Sequence, residues 1–403
     1  MLTPYRRVLA VPGALVFSLT GLVGRLPISM VSLGIVILVS GRTGSYTLAG
    51  GIAAAYLVGN AVLSVPEGRL VDRLGQSVVL PWTILVFTVA LSLMVWSVVA
   101  GWPTPVPQVL AALGGAALPP IGSCVRARWS HNVPDKKQLQ TAFALEAVVD
   151  ETVFVVGPIL VTVVATAIHP LAGLGTAIAA GLIGTLALSA QRSTQPPAHR
   201  STGRSAPRVP LGWRVLGPLL AAGVTLGVLF GGIEVATVAF ADELGAKAAS
   251  GILLAVYSLG SLLAGVVSGA VRWRASVATR FRRGMAALAV SLVPLPFLSG
   301  FPAMGTALFL AGFAIAPTLI AAVAWIEQTV PTRRLTEGIT ILITGINVGL
   351  APGAAAVGRV VDRFGASASY WVPLAAAAAG ALFAATTLLT TRPRPGARSI
   401  ASC

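Results

Sequence analysis

Long apolar runs, divided by short polar or basic segments, dominate the chain. A helix needs about 20 apolar residues to cross the hydrocarbon core of a bilayer, and charge-free runs of this kind recur along the whole sequence. Prolines, glycines and basic clusters mark the breaks between the runs, and we place the helix boundaries there. The pattern predicts an all-α integral membrane fold with twelve transmembrane helices.

The predicted helices form two groups of six on either side of a polar stretch. The first group covers 10–39, 43–66, two helices in 74–125 divided at Pro103, Pro105 and Pro107, a fifth at 139–168 and a sixth ending near 190. The second group covers two helices flanking 242–247, two in 284–326 divided at 299–302, and the segments 338–358 and 367–391. We therefore predict an N-terminal half at 1–190, a linker at 191–214 and a C-terminal half at 215–403.

The composition excludes several classes of protein. The chain is 56% hydrophobic and only 10% charged, with a mean hydropathy of +0.87, whereas soluble domains carry about 25% charged residues. The net charge of +16 comes from short basic clusters between apolar runs, so no soluble basic module for nucleic acid is present. The three histidines are far apart and no phosphate-binding loop with a lysine occurs. We therefore expect no metal and no cofactor.

The basic residues also predict the orientation. With the N-terminus inside, 23 of the 28 Lys and Arg residues fall on the inner side and four fall outside. The four predicted outer residues are Arg42, Lys247, Arg359 and Arg363, while Arg25 lies within the first predicted span. Because basic residues concentrate in cytoplasmic loops, we expect a multi-pass protein of the cell membrane with both termini and the linker in the cytoplasm.

A pattern of glycine, acid, arginine and glycine follows the second predicted helix. It comprises Gly68, Asp72, Arg73 and Gly75. The same spacing recurs after predicted helix 11, at Gly358, Asp362, Arg363 and Gly365. Inverted repeats nested within each half place such copies on opposite sides of a membrane.

The first copy, in a chain of six helices, a linker and six helices, resembles the signature between helices 2 and 3 of the major facilitator superfamily, in particular its bacterial efflux-type members. The resemblance implies the fold of that family, and it implies that Asp72 closes the cytoplasmic side by contacting the start of helix 11. Thr336 is the candidate N-cap residue there. Gln76 and Ser77 depart from the basic pair that often ends the signature.

A second resemblance lies in predicted helix 5, where Gly157 and Pro158 are similar to a Gly-Pro element of antiporters in this family. It implies a hinge in the helix, since proline frees a backbone carbonyl group and glycine permits close contact. Ordinary helix packing is the alternative interpretation. Helix 4, around Gly114 and Gly115, lacks the mid-membrane arginine of many proton-coupled members.

Five charged residues fall inside the predicted spans: Arg25, Glu146, Asp150, Glu151 and Glu234. A charge at the bilayer centre costs about 2.5–3.5 kcal/mol on insertion scales, so such residues are functional candidates. At about 100° per residue, Glu146 and Asp150 share one helix face and Glu151 points elsewhere. We hypothesise that Asp150 pairs with Arg25 and that one acid of helix 5 binds a coupling proton, with Glu234 as the rival. Static ion pairs that fix helix packing are the alternative.

These features predict a secondary active transporter, an ion-coupled exporter of a small molecule that works by alternating access. The alternative is a polytopic membrane enzyme or a transport-dead receptor of the same fold. We expect a monomer whose partners are the lipid bilayer, a small-molecule substrate and, as candidate coupling ions, protons.

The predicted topology can be tested with reporter fusions. A reporter that is active only outside the cytoplasmic membrane should stay inactive after Arg208 and become active after Ala246, because the arginine distribution places these residues on opposite sides. Activity of that reporter after Arg208 would contradict the predicted orientation.

Overall fold

The computed structural model describes residues 3–198, 213–270, 274–330 and 335–390. Within these ranges the chain is helical and contains no β-strand. The helices of the first half are α1 (Thr3–Leu9), α2 (Ala14–Thr43), α3 (Tyr46–Leu74), α4 (Gln76–Val99), α5 (Pro105–Ala116), α6 (Ile121–Asn132), α7 (Lys136–Ala167) and α8 (Pro170–Ala190). Those of the second half are α9 (Trp213–Glu243), α10 (Ala249–Ala270), α11 (Val277–Leu292), α12 (Phe301–Phe313), α13 (Ile315–Thr329), α14 (Leu335–Phe364), α15 (Ala366–Ser369) and α16 (Trp371–Thr390).

Eleven segments in the described part of the chain are long and apolar enough to cross a membrane. The remaining predicted span is α11, which has 16 residues. At 1.5 Å per residue it covers about 24 Å, less than the roughly 30 Å of hydrocarbon. Its first two turns carry Arg280, Arg282 and Arg283, and Pro294 follows its end, so polar residues and a proline limit its apolar length. The all-α fold with two groups of helices is confirmed.

Two of the spans are broken helices. Predicted helix 4 consists of α5 and α6, separated at 117–120, and predicted helix 10 consists of α12 and α13. The prediction that helix 4 ends at Val125 is wrong, because α6 continues to Asn132. Arg126 and Arg128 therefore lie on a helix of the bundle, where Arg126 pairs with Asp150 and Arg128 is fully buried.

The two signature copies are helix ends rather than the predicted loops. Residues 68–74 form the last turns of α3, and 358–364 form the last turns of α14. The closing glycines have matching backbones with positive φ, 90° at Gly75 and 84° at Gly365. Each amide N–H donates to the carbonyl group four residues earlier, at 2.8 Å for Gly75 and 2.9 Å for Gly365. The repeat in sequence is thus a repeat in backbone geometry.

The halves are related in how they pack. In the first half α2 packs against α3, α7 and α8, and in the second α9 packs against α14 and α16. Glycines allow α9 and α14 to touch, since a Cβ atom on Gly227 would lie 2.8 Å from the Gly349 Cα atom. This contact is within one half, so it supports helix packing rather than sliding between halves.

The halves meet through α3 with α14 and α7 with α10. A Cβ atom on Gly50 would lie 2.5 Å from the Ala354 carbonyl oxygen, and one on Gly251 would lie 2.5 Å from the Pro158 carbonyl oxygen. We call the end of the bundle that holds the α2–α3 and α9–α10 turns the distal end, and the opposite end, near residues 191–198, the linker end. The close approaches at Gly50 and Gly251 lie in the distal part of the bundle.

Candidate functional site

A buried arginine organises the charges of the first half. The Arg25 Nη1 group on α2 donates to Asp150 Oδ1 on α7 at 3.0 Å, and Nη2 forms an ion pair with Glu146 Oε2. The Arg25 side chain is 1% exposed and that of Glu146 is 0% exposed. The predicted pairing of Asp150 with Arg25 is confirmed, and Glu146 is the more deeply buried of the two acids.

The same network holds a second cation that the sequence did not assign to it. Arg126 on α6 pairs with Asp150 Oδ2, so the Asp150 carboxylate lies between two guanidinium groups. Both of these side chains are partly accessible, at 40% for Arg126 and 34% for Asp150. The network therefore extends from the core of the half to an accessible surface.

Neutral donors complete the coordination of Glu146. The Trp129 indole Nε1–H donates to Glu146 Oε1 at 2.8 Å, and the Ser18 hydroxyl donates to the same oxygen at 3.2 Å. Two cations, two acids and these donors balance one another, which is the condition under which buried charges are tolerated. One donor is left over, because the buried Arg25 Nε–H has no hydrogen-bond partner among the described residues.

The remaining intramembrane acids stand apart from this network. No ion pair joins Glu151 or Glu234 to a described residue. Glu234 lies on α9 next to Ser32 of α2 and Tyr56 of α3, so it faces the other half. Its Oε1 atom is buried without a hydrogen-bond partner among the described residues, and so is the Tyr56 hydroxyl group. Burial of a polar atom without a hydrogen-bond partner is costly, so Glu234 is a candidate functional residue.

Sequence reasoning missed a further buried acid, Glu67 on α3. Both of its carboxylate oxygens are buried and lack a hydrogen-bond partner among the described residues. The sequence placed Glu67 at the polar edge of the second predicted helix. The sequence did contain a signal for this position. Gly75, a typical residue at the end of a helix, follows Glu67 by about two helical turns, so α3 continues past Glu67.

Arg128 is a second missed residue, with a structural role. It is fully buried and donates to Gln76 Oε1 at 2.7 Å, to Thr194 Oγ1 at 2.7 Å and to the Leu188 and Gln191 carbonyl groups at 2.9 and 2.8 Å. The carbonyl groups at the end of α8 carry partial negative charge, which suits a cation. Gln76, which departs from the family signature, is therefore the partner of Arg128.

At the distal end, Asp362 of the second signature copy caps a helix of the other half. Its carboxylate accepts the backbone N–H groups of Tyr46 and Thr47, each at 2.7 Å, and the Ser45 hydroxyl group at 2.9 Å. These residues form the start of α3, where unpaired N–H groups and the helix dipole attract an anion. The contact joins α14 of the C-terminal half to α3 of the N-terminal half.

A second set of polar contacts lies beside this cap. Asp242 accepts the Tyr46 hydroxyl group at 2.7 Å and pairs with Lys247 at 2.9 Å. Lys247 also donates to the Ser40 hydroxyl group at 3.0 Å. These two sets of polar contacts join the halves at the distal end.

The first signature copy has a different environment. Asp72 is exposed, and no hydrogen bond or ion pair joins it to another described residue. The structure describes α14 from Leu335 onward. The segment 331–334 and the Thr336 side chain lie outside the described residues, so the predicted contact with the start of this helix stays a prediction.

The Gly-Pro pair lies within a continuous helix. α7 runs unbroken through Gly157 and Pro158. A Cβ atom on Gly157 would lie 3.1 Å from Ser29 Cβ on α2, and the Pro158 carbonyl group faces Gly251 on α10. The Gly-Pro pair thus lets α7 pack closely against α2 of its own half and α10 of the other half. The hinge role of the pair stays a prediction.

The arrangement as a whole is that of a polytopic transport protein: two related halves, a buried charge network, and polar contacts between the halves at one end. The sequence matches the family model of the Major Facilitator Superfamily over residues 17–301 and 219–401. The chain belongs to the Major Facilitator Superfamily and shares its membrane transport fold, which points to a transporter rather than an enzyme. No curated protein matches the sequence.

Solved structures support the same fold. A mutant of the nucleoside transporter NupG is 13% identical and matches with a TM-score of 0.74 over 94% of this chain and 100% of that one. A peptide transporter POT in complex with sulfate is 12% identical, with a TM-score of 0.73 over 94% of each chain. A bacterial homologue of the iron transporter ferroportin in an inward-facing state is 16% identical, with a TM-score of 0.66 over 93% of this chain and 99% of that one.

The charge network predicts a specific pattern of stability. Glu146→Gln should destabilise the protein by about 3–5 kcal/mol, because it leaves buried Arg25 short of one carboxylate. The double variant Arg25→Met and Glu146→Gln should recover part of that loss. The measurement is the thermal unfolding of purified protein in detergent, with Glu151→Gln as the matched control. Losses that simply add in the double variant would contradict the pairing.

Proposed function

We propose that the chain is a secondary active transporter that exports a small molecule across the cytoplasmic membrane by alternating access. The observation that carries the proposal is the set of polar contacts that join the two halves at the distal end. At the distal end, Asp362 and the pair of Asp242 and Lys247 join the halves. At the linker end, Asp72, the equivalent acid of the other signature copy, is exposed.

The two signature copies place one carboxylate at each end of the bundle, which suits a protein that alternates between two states. In the state described, the Asp362 carboxylate caps α3 and holds the distal end closed. In the other state, Asp72 would cap the start of α14 and hold the linker end closed, with the distal contacts released. Each carboxylate thus stabilises one state, and a ligand can shift the balance by binding the two states differently.

The proposal includes the orientation of the protein in the membrane and the molecules that it binds. The basic residues favour a cytoplasmic linker end with both termini, so the joined distal end would face away from the cytoplasm. The family resemblance of Gly157 and Pro158 to antiporters supports export in exchange for an ion. The protein works as a monomer in the lipid bilayer, with a small-molecule substrate and protons as its partners.

Glu234 is the best supported proton site. The acids of the charge network, Glu146 and Asp150, are held by cations, so protonating them would break ion pairs. Glu234 has a buried oxygen with no described partner and lies next to Ser32 and Tyr56 of the opposite half. Its surroundings therefore change when the halves move, and a change in burial alters the proton affinity of a carboxyl group.

Transport itself is tested by reconstitution. Purified protein in proteoliposomes should accumulate labelled members of a small-molecule panel when a pH difference is imposed, and empty liposomes should not. Conversion of a compound without movement across the membrane would instead identify a membrane enzyme. Stoichiometric binding without movement would identify a receptor of the same fold.

The two caps predict opposite effects. Asp362→Asn should shift the population toward a distally open state by roughly tenfold, because it weakens hydrogen bonds to a charged group. Asp72→Asn should favour the state described and slow transport while leaving membrane insertion and thermal stability nearly unchanged. Spin-label distances report both shifts, between Thr104→Cys and Ser299→Cys at the distal end and between His131→Cys and Arg274→Cys at the linker end. Wild-type distances and rates in both variants would refute the gating roles.

The coupling scheme predicts a separation of two activities. Glu234→Gln should abolish accumulation driven by a pH difference yet spare counterflow exchange of substrate, which needs no net proton movement. Asp150→Asn and Glu151→Gln test the alternative acids of α7 in the same assay. If all three variants still accumulate substrate against its gradient, proton coupling through these residues is wrong.

A further inference from the structure

A pocket lined by apolar and basic side chains lies at the distal end, away from the charge network. Its volume is about 300 Å³, at the lower end of the range of small-molecule pockets. It is lined by the end of α2, the turn between α7 and α8, and Lys247 in the turn between α9 and α10. Since Lys247 belongs to the C-terminal half and the other lining residues to the N-terminal half, the pocket spans the boundary between the halves.

Basic residues converge on this pocket although they are rare at this end. The distal end has four Lys or Arg residues among those that the structure describes, and two of them, Arg42 and Lys247, line the pocket. They come from different halves and lie more than 200 positions apart along the chain. Half of the basic residues that the structure describes at the distal end therefore line one cavity.

The two cations differ in how far they are neutralised. Lys247 pairs with Asp242 at 2.9 Å and lies 5.8 Å from the centre of the Tyr46 ring. The exposed Arg42 side chain has no hydrogen bond or ion pair to another described residue. The pocket thus carries one surplus positive charge, with the planar donors of a guanidinium group available to an anion.

A third donor comes from His169. Its Nδ1 atom accepts the backbone N–H of Leu171 at 3.2 Å, so the neutral ring carries its proton on Nε2. That N–H is a donor on a side chain that lines the pocket. The N-terminus of α8 at the same place adds partial positive charge.

Apolar side chains border these donors. Ile37, Pro170 and Ile168 line the same pocket, and Ile168 is 73% exposed. An anion bound here therefore lies beside an apolar surface at the level where the helices end. That combination of a cationic pocket and an apolar margin suits the head group of an amphiphile.

We propose that this pocket binds a singly charged phosphate group, held by Arg42, His169 and Lys247. A phosphodiester has the single negative charge that offsets the surplus, and its oxygens match the fork of an arginine side chain. The group can belong to a phospholipid or to the monoanion of free phosphate. Because the donors come from both halves, the bound anion favours the closed distal end.

The test measures binding, independently of transport. Thermal unfolding of the purified full-length protein is followed in detergent with added dioleoylphosphatidylglycerol, with dioleoylphosphatidylcholine, or with inorganic phosphate against chloride at equal ionic strength. We expect stabilisation of the wild type by a phosphate-bearing anion. Arg42→Gln should require about tenfold more of it for the same shift, because a hydrogen bond to a charged group is lost. Arg359→Gln, which removes a distal arginine outside the pocket, is the matched control.

The arms of the experiment distinguish the sources. Stabilisation by phosphatidylglycerol alone, weakened in Arg42→Gln only, identifies a lipid head group. Stabilisation by inorganic phosphate with the same dependence on Arg42 identifies free phosphate. If Arg42→Gln and Arg359→Gln respond to both probes as the wild type does, or if neither probe stabilises the wild type, the phosphate site does not exist.

Discussion

A buried guanidinium group in the first half must be matched by carboxylates, and this requirement ties together the helices around it. Arg25 on α2 pairs with Glu146 and Asp150 on α7, and Asp150 in turn holds Arg126 on α6. Removing Arg25 or Glu146 leaves a buried charge uncompensated, which costs more than forming the pair gains. The network therefore ties α2, α6 and α7 of the first half together.

The second half contributes the polar contacts that would change partners in the proposed transport cycle. Its signature copy ends α14 with a carboxylate that caps α3. The end of α9 contributes Asp242, and the turn between α9 and α10 contributes Lys247. These contacts are hydrogen bonds to helix ends and small polar groups near the surface, each worth a few kcal/mol at most. Contacts of that size can hold one state and still be released by a ligand.

The structure also separates acids that look alike in sequence. Glu146, Asp150 and Glu234 are all carboxylates within apolar runs, and the first two are fixed by cations while Glu234 faces the other half with a buried, unpartnered oxygen. Helical spacing correctly placed Glu146 and Asp150 on one face. It could not identify Arg126, because the length of α6 depends on a break at 117–120 and on packing beyond it.

The sequence by itself determined the membrane setting, the two groups of helices and the repeated signature, because apolar length and local spacing are properties of the chain alone. It also predicted the pair of Arg25 and Asp150, since a charge within an apolar run needs an opposite charge within reach. Only the tertiary structure decided that the signature copies are helix ends, that Asp362 caps α3, and that Arg42 and Lys247 share a pocket. The cap and the pocket join residues about 200 to 300 positions apart, and no local pattern specifies which helix ends meet when two halves pack against each other.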